Sequence, residues 1–447
     1  MNCKFDKRSA MRDSLFSDDF KTTPYWWDNT PPPELSLLGE PNLELPKKAD
    51  VVVIGAGYTG LSAALQTARA GRHTVVIDAE NAGAGCSTRN GGQISTSIKP
   101  THKALAAKYG PERAFSILKE GHNALEWLEE FVSIESIDCH FKLVGKFLGA
   151  HNLAQYEKLG KKLGTSVKGL ETGAYLLSRS EQYQELGTDR YFGGVVHPKV
   201  ASVDPARLHR GLLERVLAAE ATVIPYNPVL DIIKEGTGFR VTTSKGSIWA
   251  KEVIVASNGY TGRATPWLRR RIIPIGSYII ATEPLAAGQM ERLIPKDRML
   301  GDTRKMVFYY RSSPDRQRIL FGGRVSHAET NPLASGPKLH DRMVDIFPEL
   351  VKTRISHSWL GFVGYTFDSL AHLGKNEGVH YAMGYCGSGV SMSCYLGMRI
   401  GQQLLGQQEG KTGFDGLNFQ TRPMYTGTPW FLSASIQYYR WLDSLNI

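Results

Sequence analysis

The sequence has few cysteines, and those it has form none of the patterns that give cysteine a structural role. Cys3, Cys86, Cys139, Cys386 and Cys394 stand far apart with no C-x-x-C pair, which excludes a disulfide framework and a thiolate zinc site. A long apolar run of membrane type is missing too. Val51 to Ala68 is uncharged, but glycines, Tyr58, Thr59, Ser62 and Gln66 interrupt it, so no membrane span is expected. The opening MNCKFDKRSAMRDSLFSDDF scatters acids where a secretory signal would be apolar, and a cytoplasmic protein is expected. Long basic runs are also absent. The net charge of +10 is diffuse, with Arg269-Arg270-Arg271 its densest run, as on an ordinary solvated surface rather than a nucleic-acid or membrane face. A chain of 447 residues has room for two domains and a large core.

What is present begins at Ala49, in ADVVVIGAGYTGLSAALQTARAGRHTVVIDAE. Val51 to Ile54 read as a buried strand. Gly55, Gly57 and Gly60 follow as G-x-G-x-x-G, and a small-residue helix runs from about Leu61 to Ala70. Its N-terminus offers free N–H groups to a pyrophosphate. Thr74 to Ile77 form a second strand, closed by Asp78, where an acid can accept from a ribose 2′-hydroxyl. An acid there argues against NADP and leaves NAD and FAD open.

The following NAGAGCSTRNGGQIS, Asn81 to Ser95, leaves no room for a second ordinary βα unit. It resembles the "GxGASGRNGGQ" signature of the D-amino-acid-oxidase-like flavoproteins, the group of glycine oxidase, sarcosine oxidase and gamma-glutamylputrescine oxidase. Ser87, Arg89, Asn90, Gly91 and Gly92 match, while Cys86 and Thr88 depart. Further on, YIIATEPL and MVFYYRSS…GGR resemble strands of the gamma-glutamylputrescine oxidase subgroup. YAMGYCGSGV resembles that family's "GYSGHGV", with Cys386 and Ser388 as departures. The resemblance spans about Ala49 to Gly406. It implies FAD, held noncovalently, because the histidine and cysteine that tether flavin in some relatives have no counterpart here. It also implies cofactor contacts from Gly55, Gly57, Tyr58, Thr59, Gly60, Asp78 and Ala79, and from Ser87, Arg89, Asn90, Gly91 and Gly92. Val229 would follow on the adenine side, then Ser257, Asn258 and Gly259, and finally Gly387, Ser388, Gly389 and Val390.

The expected fold is α/β, an FAD-binding Rossmann-like unit interleaved with an α+β substrate unit on an antiparallel sheet. Residues 1–48 would be an extended arm. The FAD-binding unit would comprise 49–110, 195–270 and 355–410, the substrate unit 111–194 and 271–354, and 411–447 would be a tail. Thr101 to Ser133 and Gln155 to Leu163 show helical spacing, Asp204-Pro205 starts another helix, and residues 221–262 alternate as a β-meander.

The resemblance implies oxidation of a C–N bond in a small amine or amino acid. A hydride passes to the flavin, the imine is hydrolysed, and oxygen or another acceptor reoxidises the cofactor. Substrates would be gamma-glutamylputrescine-like or secondary and cyclic amino acids. No triad or metal site is expected. On Val307 to Arg311, Val307, Tyr309 and Arg311 share one face and Phe308 with Tyr310 the other; either could meet the ligand. Tyr310, Arg311, Arg324 and Trp359 are the substrate candidates, each weighed against core packing or a solvated strand end. His197 is weighed as a surface residue against a catalytic one, and Cys386 as a redox group. RILFGGR lacks the lysine that assists oxygen reduction in sarcosine oxidases, so oxidase and dehydrogenase both stand, with oxidase preferred. The alternatives are an FAD-dependent demethylase of a tRNA base and a non-catalytic flavin-binding regulator. A simple NAD-dependent dehydrogenase conflicts with the meander and the C-terminal glycine motif.

Overall fold

The computed structural model describes residues 15–38, 44–165, 167–324 and 331–444. Lys48–Ile54 lies at the centre of a parallel sheet, between Thr74–Ile77 and Gly246–Val255. Thr222–Ile224 and Val379–Met383 extend the parallel order outward. Val51, Val52 and Val53 are buried, because helices and loops cover both faces of such a sheet. The first half of Gly246–Val255 turns back antiparallel on Gly238–Thr243, which pairs with Val229–Glu235: this is the meander expected from the alternation. Helices Tyr58–Arg69 and Gly389–Leu404 pack together over the sheet. Small residues make their approach close, since a Cβ on Gly397 would overlap the carbonyl oxygen of Thr59.

The second sheet has nine strands, ordered Phe16–Lys21, Ile355–Tyr365, Ile273–Thr282, Ile319–Gly323, Phe308–Ser312, Met299–Asp302, Lys146–Gly149, Gly194–His197 and Tyr175–Leu177. All neighbours are antiparallel except the first pair and Met299–Asp302 with Lys146–Gly149. One face buries Tyr278, Tyr310 and Phe321 against Leu339, Met343 and Phe347 of the Pro332–Ile346 helix and its exit. The other face looks towards the glycine loops. The expected α/β architecture with an antiparallel second sheet is therefore what the chain adopts.

Several expected boundaries fall elsewhere. The arm adds an edge strand, Phe16–Lys21, to the second sheet and buries Tyr25 and Trp26. The predicted helix at 101–133 is two helices, His102–Tyr109 and Pro111–Ile134, broken where Gly110 takes φ +83° before proline. Pro111–Ile134 buries Ile117, Leu125 and Leu128 in the same core as Leu61 and Leu396, so it packs with the cofactor side rather than the substrate side. Ile355–Tyr365, placed with the cofactor unit by sequence, belongs to the second sheet. The 411–447 segment is more than a tail: Phe414 and Tyr425 are core residues and Leu432–Ser444 is a helix. No helix among the described residues is long and apolar enough to cross a membrane, and none of their acidic, histidine or cysteine clusters could hold a metal.

Candidate cofactor and substrate site

A cavity of about 900 Å³ opens between the two sheets. Gly55, Gly57, Tyr58 and Thr59 line it at the N-terminus of the first helix. Gly55 has φ +108°, and a Cβ on Gly60 would overlap the Gly55 carbonyl oxygen, so both positions need glycine. Gly60 sits behind the loop, outside the lining. Asp78 and Ala79 line the cavity. The Asp78 carboxylate accepts from the N–H of Ala56 at 2.6 Å and of Glu80 at 3.0 Å. Each oxygen keeps a further lone pair for a hydroxyl, and burial raises the carboxyl's pKa.

The second glycine-rich loop wraps the next stretch of wall with Ser87, Arg89, Asn90 and Gly91. The Tyr58 N–H donates to Ser87 Oγ at 3.0 Å, and a Cβ on Gly57 would come within 2.8 Å of that oxygen. Asn90 closes the loop on itself, donating to the Cys86 and Ser87 carbonyls and accepting from the Gly92 N–H at 2.8 Å. Arg89 Nε donates to the Ala84 carbonyl at 2.6 Å. Gly92 takes φ +64° behind the wall, where a Cβ would overlap the Val203 carbonyl.

Val229, Ser257 and Asn258 line the far side, and Asn258 Oδ1 accepts from the Gly384 N–H at 2.9 Å. Gly259 lies outside the lining, packed so that a Cβ would come within 2.9 Å of the Phe362 carbonyl. Gly387, Ser388, Gly389 and Val390 bring the N-terminus of the Gly389–Leu404 helix to the cavity, directing its positive dipole end there. Cys86 and Cys386 also line the cavity, but burial raises both thiols, that of Cys86 to about 11. Cys386 Sγ donates to the Gly384 carbonyl at 3.1 Å. Neither is a ready thiolate.

Of the four substrate candidates the structure brings only Arg324 to the cavity; its Nη1 donates to the Gly276 carbonyl at 2.8 Å. Tyr310 points the other way, stacked on Phe321 in the sheet's outer core. Arg311 is buried beneath the loop, where Nη1 bridges the carbonyls of Gly92 and Val203. Trp359 is fully buried and gives its indole N–H to the Arg89 carbonyl at 2.9 Å. Val307 and Tyr309 face the cavity, and Tyr309 shares a 2.9 Å hydrogen bond with Ser277 Oγ. His197 is partly buried outside the lining, its pKa pushed down to about 4 by desolvation and by its cross-strand neighbour Lys146.

Sequence reasoning missed Lys146, Lys99 and Tyr365, all in the wall. Lys99 Nζ donates to Tyr365 Oη at 3.0 Å. Lys146 is partly buried and makes no hydrogen bond or ion pair among the described residues; burial pushes its ammonium below the usual lysine range. The signal was in HFKLVGKFLGA, where a lysine at an inward-alternating position interrupts an apolar strand. The cavity's acids, Asp78 and Glu80, lie beside Pro228 and Val229. Among the described residues, the second sheet and its loops contribute Lys146, Lys305 and Arg324 and no acid.

Glycine loops at two helix N-termini, an acid closing the second strand and a long cavity between two sheets define a dinucleotide-binding oxidoreductase. The comparisons with known proteins give the class its name. Residues 50–403 match the model of the DAO family, FAD dependent oxidoreductase. A probable oxidoreductase OrdL of Rhizobium meliloti is 31% identical over 92% of this chain and 94% of its own length. Gamma-glutamylputrescine oxidoreductase of Escherichia coli is 30% identical over 82% of this chain and 86% of its own. The fold of glycine oxidase from Geobacillus kaustophilus superposes with a TM-score of 0.69 at 17% identity, covering 85% of this chain and 99% of that one.

The chain belongs to the FAD-dependent oxidoreductase family, and its cofactor is FAD. The residues present suit it. The glycine positions leave a cradle that side chains would fill, the N-terminus of Tyr58–Arg69 suits a pyrophosphate, that of Gly389–Leu404 suits the pyrimidine edge of the flavin, and Asp78 suits a ribose.

Proposed function

We propose that this enzyme oxidises a carbon–nitrogen bond of a small amine that also carries a carboxylate. A gamma-glutamyl-type amine or a secondary or cyclic amino acid fits this description. The observation that carries the reading is the charge of the substrate wall: Lys146 and Arg324 beside Tyr309 and Tyr365, with no acid among the described residues that the second sheet contributes. FAD, when bound, supplies the two-electron acceptor for the C–H bond next to nitrogen.

The chain's residues do the rest. Arg324, anchored on the Gly276 carbonyl, and Lys146 present charge-assisted donors to a carboxylate. The same cations disfavour an ammonium nearby, so the amine is held neutral, with its lone pair free, without a dedicated base. Tyr309 remains a neutral phenol, because burial raises its pKa above the usual range, and with Tyr365 it walls the substrate from water. Neither Cys86 nor Cys386 is a thiolate, which supports noncovalent FAD. We take oxygen as the acceptor, with Lys146 in place of the lysine that the RILFGGR strand lacks.

The test is anaerobic mixing of the holoenzyme with matched compounds, amino-carboxylates against diamines of equal length. Bleaching of the flavin bands by the carboxylates alone is expected, with colour and peroxide returning in air. Bleaching by the diamines alone would overturn the substrate class. Slow reoxidation in air would assign a dehydrogenase instead.

A further inference from the structure

Three indole N–H groups converge on three consecutive residues of the second glycine loop. Trp27 Nε1 donates to Thr88 Oγ1, Trp359 Nε1 to the Arg89 carbonyl and Trp26 Nε1 to the Asn90 carbonyl, each at 2.9 Å. Trp359 belongs to the strand on which the N-terminal strand pairs; Trp26 and Trp27 follow that N-terminal strand directly. The guanidinium of Arg89 sits 4.7 Å from the centre of the Trp27 ring, and that of Arg311, which binds the Gly92 carbonyl, lies 5.6 Å from Trp26. Pro33 in the same segment accepts from Asn81 Nδ2 at 2.9 Å, at the loop's other end. Residues 15–38 thus grip the back of the loop whose front lines the cavity.

We propose that Trp26 and Trp27 are positioning residues for the cofactor loop, and that docking of the N-terminal strap and binding of FAD are thermodynamically linked. The inference does not depend on which substrate the enzyme takes. A glycine-rich loop has large conformational freedom to lose on binding a ligand. Here the loss is met in advance by contacts from a segment far away in sequence. If the docked strap raises FAD affinity, bound FAD must favour the docked strap by the same factor.

The experiment is titration of the flavin-stripped full chain with FAD, followed by quenching of FAD fluorescence, alongside the melting temperature of the flavin-free protein. Trp26→Phe and Trp27→Phe each keep a ring and remove one N–H. Each is expected to raise the FAD dissociation constant about three- to tenfold. Tyr25→Phe is the control: its hydroxyl reaches Asp315, in the turn between Phe308–Ser312 and Ile319–Gly323, rather than the cofactor loop, and its FAD affinity should match wild type. Unchanged affinity in both tryptophan variants, with only a lower melting temperature, would overturn the proposal. So would an equal loss of affinity in Tyr25→Phe.

The unmutated protein gives a second test that does not depend on variants folding. Tryptic cleavage after Lys21, compared with cleavage after Lys168 as an internal reference, should slow when FAD is added. An unchanged ratio overturns the linkage.

Discussion

At the scale of single residues, Lys146 separates a chemical role from a packing role. Replacing it by methionine should raise KM for a carboxylate substrate about 10- to 100-fold, the range of a lost charge-assisted hydrogen bond, with a smaller change in kcat. Steady-state kinetics checks this. Its pH dependence has a definite sign. The ammonium binds an anion only while protonated, and burial depresses its pKa; affinity for a carboxylate is therefore present below that depressed value and lost as pH rises through it. Lys146→Arg should carry this alkaline loss to higher pH. His209 acts on stability instead. It lies against the glycine loop with Nε2 2.8 Å from the Ala56 carbonyl oxygen, and burial pushes its pKa down to about 4. Between that value and the unfolded one of about 6.5, the unfolded chain binds more protons. Stability is therefore full above pH 6.5 and declines as pH falls towards 4. Thermal melts of His209→Gln should show a shallower fall over that window. None of these roles could be read from residue type alone. Nothing in HFKLVGKFLGA said which wall Lys146 would join, and Tyr310 and Tyr309 were exchangeable until the register of their strand was known.

At the scale of elements, the first strand–glycine–helix unit was fully legible, because tight turns and close packing allow few residue types. The helix against which it packs was legible as a helix opened by a glycine motif, but its partner was not. That Gly397 meets the Thr59 carbonyl is a tertiary fact. Gly397→Ala should push the two helices apart and cost about 1–3 kcal/mol by overpacking, read as a lower melting temperature of the flavin-free protein. Because Thr59 lines the cavity, FAD retention on gel filtration should fall with it. The Pro111–Ile134 helix shows the converse. Its apolar stripe was plain, but amphipathicity says which face is buried and not against what. It was therefore assigned to the wrong side of the cavity.

At the scale of the whole molecule, the C-terminal helix closes the site while the N-terminal strap braces it from behind. Leu432, Ser435 and Ile436 of the C-terminal helix belong to the cavity wall. Deleting residues 429–447 should leave FAD bound but more exposed, with iodide quenching of flavin fluorescence increased over wild type. The sequence by itself determined the nucleotide cradle, the two-unit plan, the meander and the family. Each is carried by local backbone demands, such as positive φ, close approach or strand alternation, which a short window of residues must satisfy. The tertiary structure alone decided which face of Phe308–Ser312 lines the cavity, and that Arg324 and Lys146 share a wall while Arg311 and Trp359 brace a loop from behind. It alone made the N-terminal segment a strap. Those outcomes depend on strand order and on pairings hundreds of residues apart, and no periodicity within a segment encodes its partner.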